Sequence, residues 1–260
     1  QIPEPLLHIP QPTKQLSIRG TFPDMKKYKF LTVVGSRNYT SYGEDACRTL
    51  IAGLKGYPVV IVSGLANGID RISHEAALDA GLITVSFPGS GLDNRALAPK
   101  TQYQLAMRIL ESNGALVSEF ENSFESTVWS FVQRNRLMAG LSHATLVIEA
   151  KHKSGTRITA KLATDYNRDV LAVPGNIFSE NSEATNELIR MGATPITSSI
   201  DILEALGFQI TESVPADLFS QCSPDEESVI SLLTSAKPRG ELMREMNIPT
   251  HKANILLSQM

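Results

Sequence analysis

The sequence predicts an α/β fold, a doubly wound, mostly parallel sheet, followed by a small helix-turn-helix segment. Three observations carry this. Apolar runs of strand length alternate with stretches of helix length from Phe30 to beyond Val173. The runs are near-continuous in Val, Ile and Leu, as in strands covered on both faces. Several of them pass straight into a Gly/Ser turn: Leu31–Arg37, Val59–Asp70 and Leu82–Gly91. In a parallel sheet such turns open on one edge, beyond the carboxyl ends of the strands, where helix N-termini attract anions.

Taken in order, prolines at 3, 5, 10 and 12 predict an extended arm, because they remove donors and oppose helix. Residues 15–19 fit a short edge strand. Strands are expected at 30–35, 58–63, 82–87, 115–119, 144–149 and 169–173, with right-handed crossovers between them. Helices are expected at about 41–55, 69–80, 100–112, 128–141 and 156–167. Ser41-Tyr-Gly-Glu44 reads as a capping box opening the first helix. Gly81 reads as the glycine closing the second. Ile158, Leu162 and Tyr166 fall at helical spacing and are expected to form the buried stripe of the fifth. Residues 208–224 show no period and contain two prolines, so a linker is expected. Residues 225–260 then read as one helix followed by a helix-turn-helix, with Ala253, Leu256, Leu257 and Met260 on one face.

Composition narrows the function classes. The formal net charge of −3 requires any nucleic-acid binding to come from a local basic patch. No apolar run approaches the roughly 20 residues that span a bilayer, so no membrane role is expected. The Pro-rich start does not read as a signal peptide. Cys47 and Cys222 lie far apart without Cys/His clustering, which excludes a zinc pattern and fits a reducing cytoplasm.

Each motif has a structural and a functional reading. Gly35-Ser-Arg37 is either a tight turn with a surface arginine or a phosphate site, with Ser36 and the backbone N–H groups as donors and Arg37 as a charged fork. Ser63 to Asp70 is either a glycine-relaxed turn with Asp70 as cap or a close approach for phosphate or sugar at Gly64 and Gly68. His74, with no second ligand at metal spacing, reads as a hydrogen-bonding residue near the site. Arg134 shares a helix face with Leu137 and Leu141, so its partner is either a buried carboxylate such as Glu119 or Glu149, or a phosphate. Ser154-Gly-Thr156 opens a helix after Lys151 and Lys153 and fits an anion site. Tyr39, Tyr42, Phe87 and Trp129 lie near these loops as core residues or base-stacking platforms. Lys237, Arg239, Arg244, His251 and Lys252 give the last segment a mildly basic face.

Several of these segments together resemble the DNA processing protein A (DprA/Smf) family: Gly35-Ser-Arg37 with Ser41-Tyr-Gly43, Ser63–Asp70 with His74, Arg134-Asn-Arg136 with Met138–Ser142, Glu149-Ala150, Ser154-Gly-Thr156, Thr159-Ala160, Ala172–Gly175 and Asn186–Gly192. The likeness runs from about Ile9 to Gly207. It implies a Rossmann-like domain that binds single-stranded DNA, forms a homodimer and loads the RecA recombinase in natural transformation. It also implies a winged-helix-like tail and a dimer face near 183–191 and 194–197. Ala98-Pro99 and Gln102 depart from the family pattern. An N-terminal helical domain of many members would precede this chain, and the β-hairpin of a complete winged helix would follow Met260.

The expected organisation is thus an arm at 1–20, a single-stranded-DNA-binding core at 21–207, a linker at 208–224 and a partial winged-helix-like domain at 225–260. The residues expected to touch DNA are Gly35, Ser36, Arg37, Ser63, Gly64, Ala66, Asn67, Gly68, Arg134, Asn135, Arg136, Lys151, Lys153, Ser154, Gly155 and Thr156. No catalytic residue, metal or cofactor is expected. An alternative is a nucleoside-monophosphate phosphoribohydrolase of the lysine-decarboxylase-like group. Its Pro-Gly-Gly-x-Gly-Thr loop and following glutamate are replaced here by Lys151-His-Lys-Ser-Gly-Thr156 with no glutamate in the next turn, so a general base is missing. A nicotinamide-dependent dehydrogenase lacks its Gly-x-Gly-x-x-Gly with a later acid. A partner-recruiting role stays open for the helix-turn-helix.

Overall fold

The computed structural model describes residues 2–210, 226, 229, 232, 238–246 and 248–259. The expected linker beyond Ile210, together with Cys222, Asp225, Lys237, Asn247 and Met260, lies outside the described residues. The chain divides into two compact units, Gln1–Ile210 and Thr211–Met260.

The first unit is an eight-stranded sheet of β1 (Ser17–Gly20), β2 (Lys29–Val34), β3 (Val59–Ser63), β4 (Ile83–Ser86), β5 (Ala115–Ser118), β6 (Ala144–Val147), β7 (Asp169–Ala172) and β8 (Thr194–Pro195). The strand order is β1-β5-β4-β3-β2-β6-β7-β8. Every pairing is parallel except that of β1, which runs antiparallel to β5 as the expected edge strand. The helices are α1 (Ser41–Ala52), α2 (Ile69–Asp79), α3 (Tyr103–Glu111), α4 (Val128–Leu141), α5 (Gly155–Asp165), α6 (Glu183–Arg190) and α7 (Ser199–Ala205). Strand order reverses between β2 and β6, so the loops leaving these neighbours diverge and leave a crevice at their carboxyl ends.

Strands β2 to β6 are buried on both faces, and their two-residue period sorts the core into two layers. Leu31, Val33, Ile61 and Leu146 face one layer with Ile51, Ile72 and Ile202. Phe30, Val34, Val60, Val62 and Val147 face the other with Leu137 and Leu141 of α4. A third cluster joins Leu92, Leu97 and Leu116 to Leu105 and Ile109 of α3.

Four local expectations are corrected. The N-terminal arm is not extended throughout: Glu4–Leu7 forms a short 3-10 turn, and Leu6 and Ile9 are buried in the second core layer. Pro5 sits in the first turn, where its missing N–H costs nothing. The first helix is capped by Thr40 rather than through a Ser41 capping box, its Oγ1 accepting from the Gly43 N–H at 3.2 Å. Glu44 turns outward to Arg48. On α5 the buried positions are Thr156, Thr159, Ala160 and Ala163, while Ile158 is 41% exposed and Leu162 and Tyr166 are only partly buried. The helix lays its small residues inward. The expected third helix starts later, a 3-10 turn at Lys100–Gln102 preceding α3. Gly81 meets its expectation, with φ at +73° after α2.

In the second unit the described residues include α8 (Arg239–Glu245) and α9 (Thr250–Gln259). Val229, Leu242, Met246 and Ala253 are buried together, with Leu256 and Leu257 packed against them.

Candidate nucleic-acid interface

The crevice between β2 and β6 holds a cavity of about 500 Å³. Four segments form it: the loop after β2, the start of α2, the first three turns of α4, and the run from Lys151 into α5. Of the residues expected to touch DNA, it gathers Gly35, Ser36, Arg37, Ala66, Arg134, Asn135, Lys151, Lys153, Ser154, Gly155 and Thr156.

The N-terminus of α5 is the barest anion site in this crevice. Ser154 occupies the cap position with extended backbone, yet its side chain caps nothing. Its Oγ is buried without a hydrogen-bond partner. The first N–H groups of an α-helix have no intrahelical acceptor, and the dipole there is positive. Gly155 adds no side chain over them, and a Cβ there would meet open space. The Thr156 hydroxyl donates to the Gly35 carbonyl at 3.1 Å, so this terminus is tied to the first glycine loop.

The loop after β2 contributes a cation rather than a hydroxyl. The Ser36 Oγ donates to the Asn38 carbonyl at 2.8 Å and accepts from the Asn38 N–H, which closes a local turn. Arg37 is exposed, and its guanidinium lies 6.0 Å from the Phe131 ring centroid. Lys153 is exposed and lines the same cavity, whereas Lys151 is paired with Glu180 at 2.7 Å.

The second glycine loop behaves differently from the expected cradle. The Gly64 and Ala66 backbone N–H groups lie close enough to the Asp70 carboxylate to favour its charged form, so they are directed at a protein group. The Ile69 N–H donates to the Ser36 carbonyl at 3.2 Å, which brings the two loops together. Gly68 makes that approach possible: its φ is +87°, and a Cβ would collide with the Ser36 carbonyl oxygen and Arg37 Cα. Ser63 is fully buried and donates to the Val33 carbonyl at 2.7 Å. The Asn67 Oδ1 accepts from Gln102 Nε2 at 2.7 Å. Ser63, Gly64, Asn67 and Gly68 therefore frame the cavity from behind without lining it. The third turn, Phe87–Gly91, is buried throughout and presents no cradle: Gly89 abuts Phe131, and Gly91 abuts the backbone of Glu121 and Asn122.

Neither expected carboxylate partner of Arg134 is used. Arg134 is 5% exposed, and its Nη1 donates to the Phe87 carbonyl. Its guanidinium occupies the space left by the absent Gly64 side chain. Its Nε is buried without a partner. Burial lowers its pKa to about 10, against the attraction of Asp70, so it stays charged at neutral pH. It is Arg136 that meets Glu119, at 2.5 Å, with both side chains largely buried. Arg136 lies outside the cavity, on the other side of α4. Glu149 accepts from the Thr40 N–H at 2.9 Å and the Thr40 hydroxyl at 2.5 Å, bracing the start of α1.

Burial pushes the Asp70 carboxyl up to about 6, despite Arg134, the two loop N–H groups and Arg37 pulling it down. His74 is fully buried and held down at about 3 by burial and the Arg134 charge, so it is neutral. The Thr84 hydroxyl donates to the Ile61 carbonyl, so the 2.6 Å contact between the two side chains has His74 Nδ1 as donor. Among the described residues no group of three His, Cys, Asp or Glu is placed to hold a metal ion. Among the same residues no helix is long and apolar enough to cross a membrane.

Sequence reasoning missed Phe131, Asn38 and Thr159 as lining residues and gave Asp70 a structural role only. The signal for Phe131 was present: it lies three and four residues before Arg134 and Asn135 on one helix, and so on the same face. Of the aromatics expected near the loops, Phe87 is fully buried, Tyr39 packs on the core and Tyr42 donates to the Pro174 carbonyl at 2.6 Å. Trp129 is 64% exposed.

A model of the family described as DNA recombination-mediator protein A matches residues 1–207. Protein Smf of Escherichia coli (strain K12) is 40% identical over 199 residues, which cover 76% of this chain and 53% of that protein. The chain thus spans about half the length of that relative. The X-ray structure of DNA processing protein A from Streptococcus pneumoniae superposes with a TM-score of 0.72 at 34% identity, over 81% of this chain and 72% of that one. DNA processing protein A from Helicobacter pylori, whose structure was described for its single-stranded DNA binding mode, superposes with a TM-score of 0.70 at 30% identity. It covers 79% of this chain and 93% of that one.

Proposed function

This chain belongs to the DNA recombination-mediator protein A family, and on that premise we propose that its crevice holds the backbone of single-stranded DNA. The observation that carries the proposal is the convergence on one cavity of an uncapped helix N-terminus, an unpartnered buried Ser154 hydroxyl and the cations Arg37, Arg134 and Lys153. Phosphate is the ligand whose charge and acceptor geometry suit all of them. Phe131, beside Arg37, offers an apolar face to a neighbouring base.

The reading is of a groove rather than a catalytic centre. Asp70 is the one carboxylate among the lining residues, and it is buried near the Gly64 and Ala66 N–H groups and the Arg134 charge. Loading of a RecA recombinase during natural transformation, a cytoplasmic location and a homodimer extend the proposal by the family's character. The α6 region is the proposed dimer face, with Met191 at its end 72% exposed. The domain scheme of arm, core, linker and winged-helix-like tail belongs to the same proposal.

Anisotropy titrations of labelled single-stranded and duplex oligonucleotides at two salt concentrations test it. Tighter binding to the single strand, lost in Arg37→Glu, is the expected result. Equal affinity for duplex, or an unaffected variant, overturns it. Release of adenine from AMP would favour the phosphoribohydrolase alternative instead.

A further inference from the structure

On the far side of α4 from Arg134 lies a second groove, about 490 Å³ in volume, between α4 and α5. Its walls are Trp129 and Val132 on one side and Ile158, Leu162 and Tyr166 on the other, with Pro10 of the N-terminal arm closing one end. Trp129 is 64% exposed, and Val132 and Ile158 are more than a third exposed. Ile158, Leu162 and Tyr166 are the stripe that helical spacing marks for the core, and the fold leaves Ile158 exposed and the other two only partly buried. Val132 lines both this groove and the phosphate cavity, so the two share a wall.

We propose that this groove takes unstacked bases of the same strand whose phosphates lie in the cavity, with Trp129 as the stacking platform. The inference rests on the single-stranded-DNA reading of that cavity and extends its track across α4. Charge selects the occupant. Arg136 is the one cation in the lining, and Glu119 neutralises it, while Asp165 adds an acid at the rim. Such a lining repels phosphates but accepts the uncharged faces of bases, and the cations next door hold the backbone close.

The platform is also held in place. Thr127 caps α4, its Oγ1 accepting from the Ser130 N–H at 3.1 Å, while the Ser130 Oγ accepts from the Thr127 N–H at 2.9 Å. This reciprocal box fixes the first turn, where Trp129 sits. An aromatic ring positioned beforehand stacks on any base, because every base has a π-face.

Trp129 is the only tryptophan of the sequence, so its emission reports on this groove alone. The test titrates the full chain with fluorescein-labelled oligothymidylates of about 4 and about 15 nucleotides, following label anisotropy and tryptophan emission in parallel. The expected result is quenching by the longer strand as it binds. Trp129→Ala weakens that strand about 10-fold and the shorter one little, and Trp129→Phe restores most of the loss. Binding seen by anisotropy with unchanged emission and unchanged affinity in Trp129→Ala overturns the proposal and leaves the phosphate cavity standing. No binding of either strand overturns both. An emission change that follows protein concentration without DNA, together with a doubled mass, would make the groove a face between two copies and overturn it as well.

Discussion

The Thr156 hydroxyl donates to the Gly35 carbonyl at 3.1 Å, joining the N-terminus of α5 to the loop after β2 across the point where strand order reverses. Beside the β2–β6 pairing beneath them, a second tie runs through Asn181, whose Nδ2 donates to the Asn38 carbonyl at 3.0 Å and whose carbonyl accepts from the Ala150 N–H at 2.7 Å. Thr156→Val keeps the shape and removes the donor. It is expected to cost about 1 kcal/mol in urea unfolding. Oligonucleotide affinity should fall several-fold in anisotropy titrations, although every cation of the cavity is kept.

Salt dependence separates the two lysines of the α5 approach. Lys151 is paired with Glu180, whereas Lys153 is exposed at the lip of the cavity. A cation that displaces counterions from single-stranded DNA contributes about 0.7 to the slope of log affinity against log salt. Lys153→Ala is expected to lower the slope by about that amount. Lys151→Ala should lower it by less, because Glu180 already balances that charge. Equal slopes for the two variants would show that the Lys151–Glu180 pair opens when DNA binds.

Arg136 and Arg134 stand two residues apart and test opposite roles. The Arg136–Glu119 pair is largely buried, so Arg136→Ala leaves a carboxylate stranded. Such a loss costs about 3–5 kcal/mol in unfolding. The salt slope of the folded protein should not change, because Arg136 lies outside the phosphate cavity. Arg136→Met with Glu119→Gln together should recover much of the stability.

Much of this was legible in the sequence, for identifiable reasons. Strands such as Val59–Ser63 are apolar on both faces, and burial on both sides leaves few alternatives for such a run. Gly35-Ser-Arg37 and Ser154-Gly-Thr156 announce themselves because strand, turn and helix follow each other locally. What stayed hidden depends on distant partners. The Gly64 and Ala66 N–H groups look free until the fold sets the Asp70 carboxylate near them. Thr40 is recognisable as the cap of α1 only once Glu149, 109 residues away, accepts its hydroxyl proton. The fifth helix misleads because Ile158 and Leu162 outrank Ala160 and Ala163 in hydrophobicity. Close packing against α4 nevertheless selects the small residues for the inside.

Asp70 makes the crevice sensitive to pH. Its folded pKa of about 6 lies above the 3.8 of a free aspartate, because burial disfavours the charged form more than its neighbours favour it. Between these values the folded state binds the extra proton, so this group's contribution to stability falls as pH rises towards 6. The loss is on the order of 2–3 kcal/mol, complete above that pH. The same ionisation places a negative charge beside the phosphates. Affinity for single-stranded DNA is therefore expected to rise several-fold as pH drops from 7.5 to 5.5. The Asp70 part is read as the difference from Asp70→Asn. That variant keeps an acceptor oxygen but has no charge to lose. Its affinity at pH 7.5 should exceed that of the parent protein, and its pH profile should be flatter. An identical profile in the variant would place the DNA phosphates away from Asp70.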